Sequence, residues 1–327
     1  MTVNPKFFAL LLNYHFFNTI PKLPSVIRIE ITNKCDLRCI ICDRQAMKRK
    51  ASLMDFGLFK KIVDDAVRMK IPVIGLNRFG EPLLHPQIVD MVRYCKEQGA
   101  KHVEFTTNAT HLTRAMSSEI MEAGLNEIDV SIDGFTKETY EKIRVGAKYE
   151  SVMKNVHNLL KLKKEKNSNI KIQINCVVNN INIDELKPFH KYWHRRVDHI
   201  WFIPMMQYGD VKDISVVNEK EKRCKCIQLP YMFVVYADGK AGVCCAGDPG
   251  GVLKIGDLSK ESIYQIWNGE TVWRIREIHF AKSFNKLPVC YNCDLIYPYT
   301  HWLKYSLKIW KKILFYINDM EVPKGKS

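Results

Sequence analysis

Apolar and polar residues alternate over 26–31 (Val-Ile-Arg-Ile-Glu-Ile), the period of two that a half-buried strand requires. The period then changes. Over 53–70, Phe56, Phe59, Ile62, Val63, Ala66, Val67 and Met69 recur at helical spacing. A second strand is predicted over 72–77, and strand and helix then alternate. Further strands are predicted over 102–107, 127–132, 170–178 and 199–203, with helices over 87–98, 113–123, 137–144, 149–166 and 183–194. Gly99 and Gly124 stand where helices stop, and Pro204 ends the sixth strand. Six strands in alternation with helices predict a parallel α/β architecture. Pattern alone leaves open whether the sheet is doubly wound or a partial barrel.

Past Met205 the alternation ends. Residues 234–244 read as a hairpin with an Asp238-Gly239 turn, followed by short helices over 263–269 and 272–278. Over 297–317, Trp302, Leu303, Leu307, Trp310, Leu314 and Ile317 share one helical face, with Lys304, Lys308 and Lys311 opposite. This basic amphipathic tail is expected to cover the barrel, with peripheral contact to an anionic membrane surface as its alternative.

The 46% hydrophobic and 11% aromatic content suits a packed chain, and 327 residues allow one large domain and a smaller one. No apolar run reaches the ~18 residues of a spanning helix. The apolar stretch 7–17 is broken by Asn13 and His15 and reads as a docked helix, not a signal peptide. Eleven cysteines without an export signal fit metal-bound thiolates in a reducing cytoplasm better than disulfides. The net charge of +15 is scattered over clusters at 48–50, 161–166 and 195–196, which lack interleaved aromatics. They read as solvated faces, so nucleic acid is not an expected partner.

Three cysteines, Cys35, Cys39 and Cys42, follow the first strand directly. Three thiolates can hold a 4Fe-4S cluster and leave one iron open, since a closed cluster takes four. A zinc site with a distant fourth ligand is the other reading of the triplet. This Cys-x3-Cys-x2-Cys spacing resembles the signature of the radical S-adenosylmethionine (radical SAM) enzymes. The resemblance implies a (β/α)6 partial TIM barrel over 25–215, with a cluster whose open iron chelates the SAM amino and carboxylate groups.

Further stretches at strand ends extend the resemblance. Arg78-Phe79-Gly80-Glu81-Pro82 resembles the family's Gly-Gly-Glu-Pro motif, which implies that Gly80, Glu81 and Pro82 receive the SAM amino group. Phe79 departs from it. Thr106-Thr107-Asn108-Ala109-Thr110 resembles a Thr-Asn-Gly stretch, which implies that Thr107 and Asn108 lie near the ribose. Here Ala109 departs. Ser131 and Arg144 stand where relatives hold the SAM carboxylate.

A second cysteine set lies at Cys224, Cys226, Cys244, Cys245, Cys290 and Cys293. It resembles the SPASM/twitch extension of radical SAM enzymes. The resemblance implies an auxiliary 4Fe-4S cluster on Cys226, Cys244, Cys290 and Cys293, with Cys224 and Cys245 as alternates, over a domain at 216–296. Two 4Fe-4S clusters and SAM are therefore the expected cofactors. A structural zinc ribbon is the alternative for this segment. Cys95 and Cys176 read as ordinary buried cysteines. Residues 1–24 form an N-terminal helical segment and 297–327 the tail.

The resemblance implies reductive cleavage of SAM to a 5′-deoxyadenosyl radical that takes hydrogen from a substrate C–H bond. The leading expectation is oxidation of a carbohydrate, polyol or related small metabolite, as in family dehydrogenases with one auxiliary cluster. Modification of a ribosomal peptide is the alternative, disfavoured because no recognition domain of about eighty residues precedes Cys35. A non-catalytic zinc-bound module is the third. A one-electron donor such as flavodoxin or ferredoxin is an expected partner, beside a small-molecule or peptide substrate. Asp210 and Arg78 are positional candidates for the base an alcohol oxidation needs. The expected location is cytoplasmic, with a peripheral membrane role for the tail as the alternative.

Overall fold

The computed structural model describes residues 13–14, 16–205, 225–244, 246–291 and 293. Asp210, Cys224, Cys245 and the tail 297–327 lie outside the described residues, as do residues 1–12 of the N-terminal segment.

Six parallel strands form the core: β1 (Val26–Ile29), β2 (Val73–Gly75), β3 (His102–Thr107), β4 (Glu127–Ser131), β5 (Lys171–Val178) and β6 (His199–Pro204). Helices connect them: α1 (Phe56–Arg68), α2 (Ile88–Glu97), α3 (Arg114–Glu122), α4 (Lys137–Ile143), α5 (Tyr149–Glu165) and α6 (Leu186–Trp193). Caps fix several starts. Asp55 accepts from Leu58 N at the head of α1, Thr113 from Met116 N at α3, and Thr136 from Thr139 N at α4. The helix expected from residue 183 opens instead as a 3-10 turn, Ile183–Glu185.

The described strands run β6-β5-β4-β3-β2-β1-β7-β8-β9, where β7 is Met232–Val235, β8 Lys240–Gly242 and β9 Lys254–Asp257. Among the described residues the sheet ends at β6 and β9 and does not close, as expected of a partial barrel. The hairpin read at 234–244 forms, and β7 lies parallel to β1 in the register Val26↔Met232 to Ile29↔Val235. The extension therefore grows directly on the core sheet. After β9 come α7 (Ile263–Trp267), with a Ser262/Gln265 capping box, then α8 (Glu270–Phe280) and α9 (Pro288–Tyr291).

Residues 13–14 and 16–17 are helical, and Tyr14 is buried. Lys225 Nζ donates to Tyr14 O at 2.9 Å and to Asn18 Oδ1 at 2.6 Å, and Trp267 Nε1 donates to Pro21 O. The N-terminal segment thus docks against the extension. Among the described residues no helix is long and apolar enough to cross a membrane.

One face of the core sheet is apolar: Ile27, Ile29, Ile74, Val103, Phe105, Ile128, Val130, Ile172 and Ile174 are buried. Alternation turns Arg28, Glu104, Glu127, Asp129, Gln173 and Asn175 to the other face. There Arg28 pairs with Glu104 at 2.6 Å and reaches Asn77 Oδ1 at 3.3 Å. Gly75 leaves the space, since a Cβ there would sit 2.3 Å from Arg28 Nη1. Asn77, Thr106 and Ser131 have the same parity and stand at the C-terminal ends of the strands, so this polar face runs up to the site described below.

Asp129 gives the polar face a pH signature. Burial, then the charges of Glu127 and Glu104, push its carboxyl up to about 6. The folded chain keeps this proton where the unfolded chain has lost it, so stability falls as pH rises from about 4 to about 6. Asp129→Asn should therefore stabilise the cofactor-free protein by about 1–2 kcal/mol at pH 8 and have little effect near pH 4. Urea unfolding at both pH values checks this; an equal gap at both would contradict it.

Candidate active site at the cysteine loop

The loop leaving β1 is clasped at its base. Asn33 Nδ2 donates to Lys50 O at 2.9 Å while its Oδ1 accepts from Ser52 N at 2.7 Å, and Thr32 Oγ1 donates to Ser52 O. Arg44 Nη2 donates to the carbonyls of Cys35 and Leu37, and Gln45 Nε2 to that of Cys39. Arg38 N and Ile40 N donate to Val145 O and Ile143 O, which ties the loop to the end of α4. Backbone groups that would otherwise point to water are thereby used to set the direction of three thiols.

Cys35, Cys39 and Cys42 line one cavity of about 300 Å³ together with Asp43, Arg78, Gly80, Glu81, Thr107, Asn108, Ser131 and Arg144. The structure thus brings every expected SAM-contact residue except Pro82 to one lining; Pro82 is buried directly behind it, opening a 3-10 turn. Burial pushes the Cys35 thiol up to about 11 and the Cys42 thiol up to about 12, and raises Cys39 as well. Without a metal these groups remain thiols; coordination is what deprotonates them. Among the described lining residues there is no fourth cysteine and no histidine, so the donor set fits an iron-sulfur cluster with one open iron.

Gly80 lets two loops touch. A Cβ there would lie 2.1 Å from Thr32 O and 2.8 Å from Lys34 O, and the next residue closes the contact with Glu81 N donating to Lys34 O at 2.8 Å. Glu81 is buried, and its carboxylate accepts from Thr107 Oγ1 (2.6 Å), Asn108 N (2.7 Å) and Leu83 N (3.1 Å). Burial still outweighs these donors and pushes its carboxyl up to about 7. Asn108 Nδ2 donates to Asp36 Oδ1 at 2.8 Å and lies 3.9 Å from Cys35 Sγ. Ala109, at φ 59°, adopts the left-handed conformation that explains the glycine expected there.

Arg144 caps α4, with Nε on Asp133 Oδ2 at 2.6 Å and Nη1 4.0 Å from Cys39 Sγ. Although burial pulls it down, Asp133 holds the guanidinium well above its usual range. The other Asp133 oxygen accepts from Val177 N at 2.6 Å. Sequence reading named Arg144 but not Asp133, whose role appears only when β4, β5 and α4 meet. Asp43 was also missed. It follows Cys42 directly, and burial pushes its carboxyl up to about 7 against the pull of Arg78. Arg78, a positional candidate for a base, offers N–H donors and no acceptor. It donates to Cys244 O through both Nε (3.1 Å) and Nη2, and through Nη2 to Asp248 O at 3.3 Å.

The described cysteines of the second set come from three segments. Cys226 N donates to His279 Nδ1 at 3.3 Å, Cys244 follows β8, and Cys293 N donates to Cys290 O at 3.4 Å behind α9. Cys95 and Cys176 are fully buried in α2 and β5, as expected of core cysteines.

Residues 29–192 match the family model described as the radical SAM superfamily. The chain belongs to the radical SAM superfamily. Residues 224–294 match the SPASM iron-sulfur cluster-binding domain, so this is a radical SAM enzyme with a C-terminal SPASM region. Its cofactors are 4Fe-4S clusters and SAM. A GTP 3′,8-cyclase from Limosilactobacillus fermentum is 30% identical over 202 residues, 59% of this chain and 58% of that protein. The curated relatives it matches first are spanned over only 30% to 65% of their own length. Among solved structures, BtrN in complex with AdoMet and 2-DOIA shares the fold with a TM-score of 0.58 at 19% identity, over 83% of this chain and 93% of that one. Streptococcus suis SuiB bound to S-adenosylmethionine gives 0.64 at 16% identity, over 89% and 75%.

Proposed function

We propose that this radical SAM enzyme oxidises a hydroxyl-rich small molecule of the carbohydrate or polyol class. The observation that carries the reading is the polar sheet face below the cysteine cavity. Asn77, Thr106 and Ser131 carry that face into the cavity lining, beside Asp43, Arg78 and Asn108. A substrate dense in hydroxyls would pair with these donors and acceptors. An apolar peptide side chain would not. A fold shared with SuiB at 16% identity favours neither a peptide nor a small molecule.

In this reading Cys35, Cys39 and Cys42 hold the SAM-binding cluster, and Cys226, Cys244, Cys290 and Cys293 hold a second, with Cys224 and Cys245 as alternates. When bound, cluster and SAM supply a 5′-deoxyadenosyl radical able to take a hydrogen atom from carbon. The protein's residues position and shield that chemistry. Gly80 permits close approach, Glu81 accepts from the SAM amino group, and Thr107 and Asn108 border the ribose. Ser131 and Arg144 hold the carboxylate, Arg144 through a planar charged fork. A flavodoxin or ferredoxin would deliver the electron.

The test is deuterium transfer. With C-deuterated polyols, the anaerobically reconstituted protein should form deuterated 5′-deoxyadenosine, and Cys35→Ala should form at least about a hundredfold less. Label arriving from a peptide instead, or undiminished product in Cys35→Ala, would reject the reading.

A further inference from the structure

We propose that Arg78 and Asp43 form a clamp for one substrate hydroxyl, with an Arg78 N–H donating to its oxygen and Asp43 Oδ2 accepting a hydrogen bond from its O–H. The inference rests on the hydroxyl-rich substrate proposed above and adds the residues that select it. Both side chains line the cavity that holds the three cysteines. Arg78 is fixed there from several sides. Its Nε and Nη2 are engaged by Cys244 O and Asp248 O, and its guanidinium lies 4.0 Å from the Phe79 ring centre and 5.0 Å from that of Tyr236. Phe79 is the residue that departs from the expected Gly-Gly-Glu-Pro pattern, and its ring is one of the platforms that hold this arginine.

What remains is a single donor group and a single acceptor. Arg78 Nη1 and Asp43 Oδ2 are both buried, and neither has a hydrogen-bond partner among the described residues. The described hydrogen bonds of Arg78 go to backbone carbonyls and none to a carboxylate, so the guanidinium is not used up structurally. A purely structural arginine in this position would have its third nitrogen satisfied as well. The complementary pair also defines the ligand. A hydroxyl both accepts and donates and so fits both atoms, whereas a carboxylate or fully ionised phosphate has no O–H to give Asp43 Oδ2. Because Arg78 hangs on the carbonyl of Cys244, the clamp also fixes the substrate relative to the extension.

The test uses the reconstituted full chain and a polyol that it oxidises. Arg78→Lys keeps the charge but loses the fork, and Asp43→Asn keeps the shape but loses the acceptor. Each should raise KM at least about tenfold and change kcat less than about threefold. A monodeoxy analogue lacking the gripped hydroxyl should show the same KM rise in the wild type and little further rise in either variant. Backbone amide exchange over 246–253 should quicken in Arg78→Lys and stay as in wild type in Asp43→Asn. Wild-type KM values in both variants would overturn the clamp alone. Failure of the wild type to take label from any polyol would overturn the substrate reading and the clamp with it.

Discussion

Replacing Gly80 by alanine should remove at least about 2 kcal/mol of stability and cut 5′-deoxyadenosine formation at least about a hundredfold. The added methyl would overlap Thr32 O at 2.1 Å, the Thr32 carbonyl carbon at 2.7 Å and Lys34 O at 2.8 Å. All three are backbone atoms, so no rotamer change relieves the clash. The loop must move, and with it goes the hydrogen bond from Glu81 N to Lys34 O. Glu81 is the hub through which this loop holds Thr107 and Asn108, so the displacement passes to three proposed SAM contacts. Gly99→Ala is the control. Its φ of 91° imposes backbone strain, yet a Cβ there meets nothing within 4 Å. It should cost about 1 kcal/mol and leave product formation intact. Urea midpoints and product assays separate the two cases, and matching behaviour of the two variants would remove Gly80 from the site.

The parallel core was legible because local pattern and tertiary role coincide there. Val26–Ile29 alternates in sequence and alternates in burial, with Ile27 and Ile29 on the apolar side. The same alternation placed Arg28 and Glu104 on one face. It could not say that this face continues under a cavity, because that follows from how strands adjoin. The pairing of β7 with β1 joins Val26 to Met232, a contact between distant segments that no window of sequence contains. Strand β9 escaped because Lys254–Asp257 buries only Ile255 among its four residues. In the site, cysteines and glycines announced themselves by spacing. Asp133 and Asp43 did not, since an isolated aspartate in sequence looks the same whether it is solvated or buried beside an arginine.

Asp133 carries the second large expectation. It is fully buried, and its side chain meets that of Arg144, only 10% exposed, at 2.6 Å. Removing one partner of such a pair leaves the other charge uncompensated, which costs about 3–5 kcal/mol. Asp133→Asn should therefore destabilise the cofactor-free protein by about that amount, and Arg144→Gln should cost about as much by stranding Asp133. The double variant should lose clearly less than the sum, because neither charge is then left alone. A coupling below about 0.5 kcal/mol would show that the two groups act independently. SAM supplies the sharper discrimination. If Arg144 holds its carboxylate, the ligand replaces part of the charge that Asp133→Asn removes, so SAM should raise the stability of this variant more than a change in binding site shape would allow. Arg144→Gln should gain far less from the same concentration. The pair of responses separates a guanidinium that Asp133 presents to the ligand from one that merely closes α4, since only the former makes Asp133→Asn gain more stability from SAM than Arg144→Gln does.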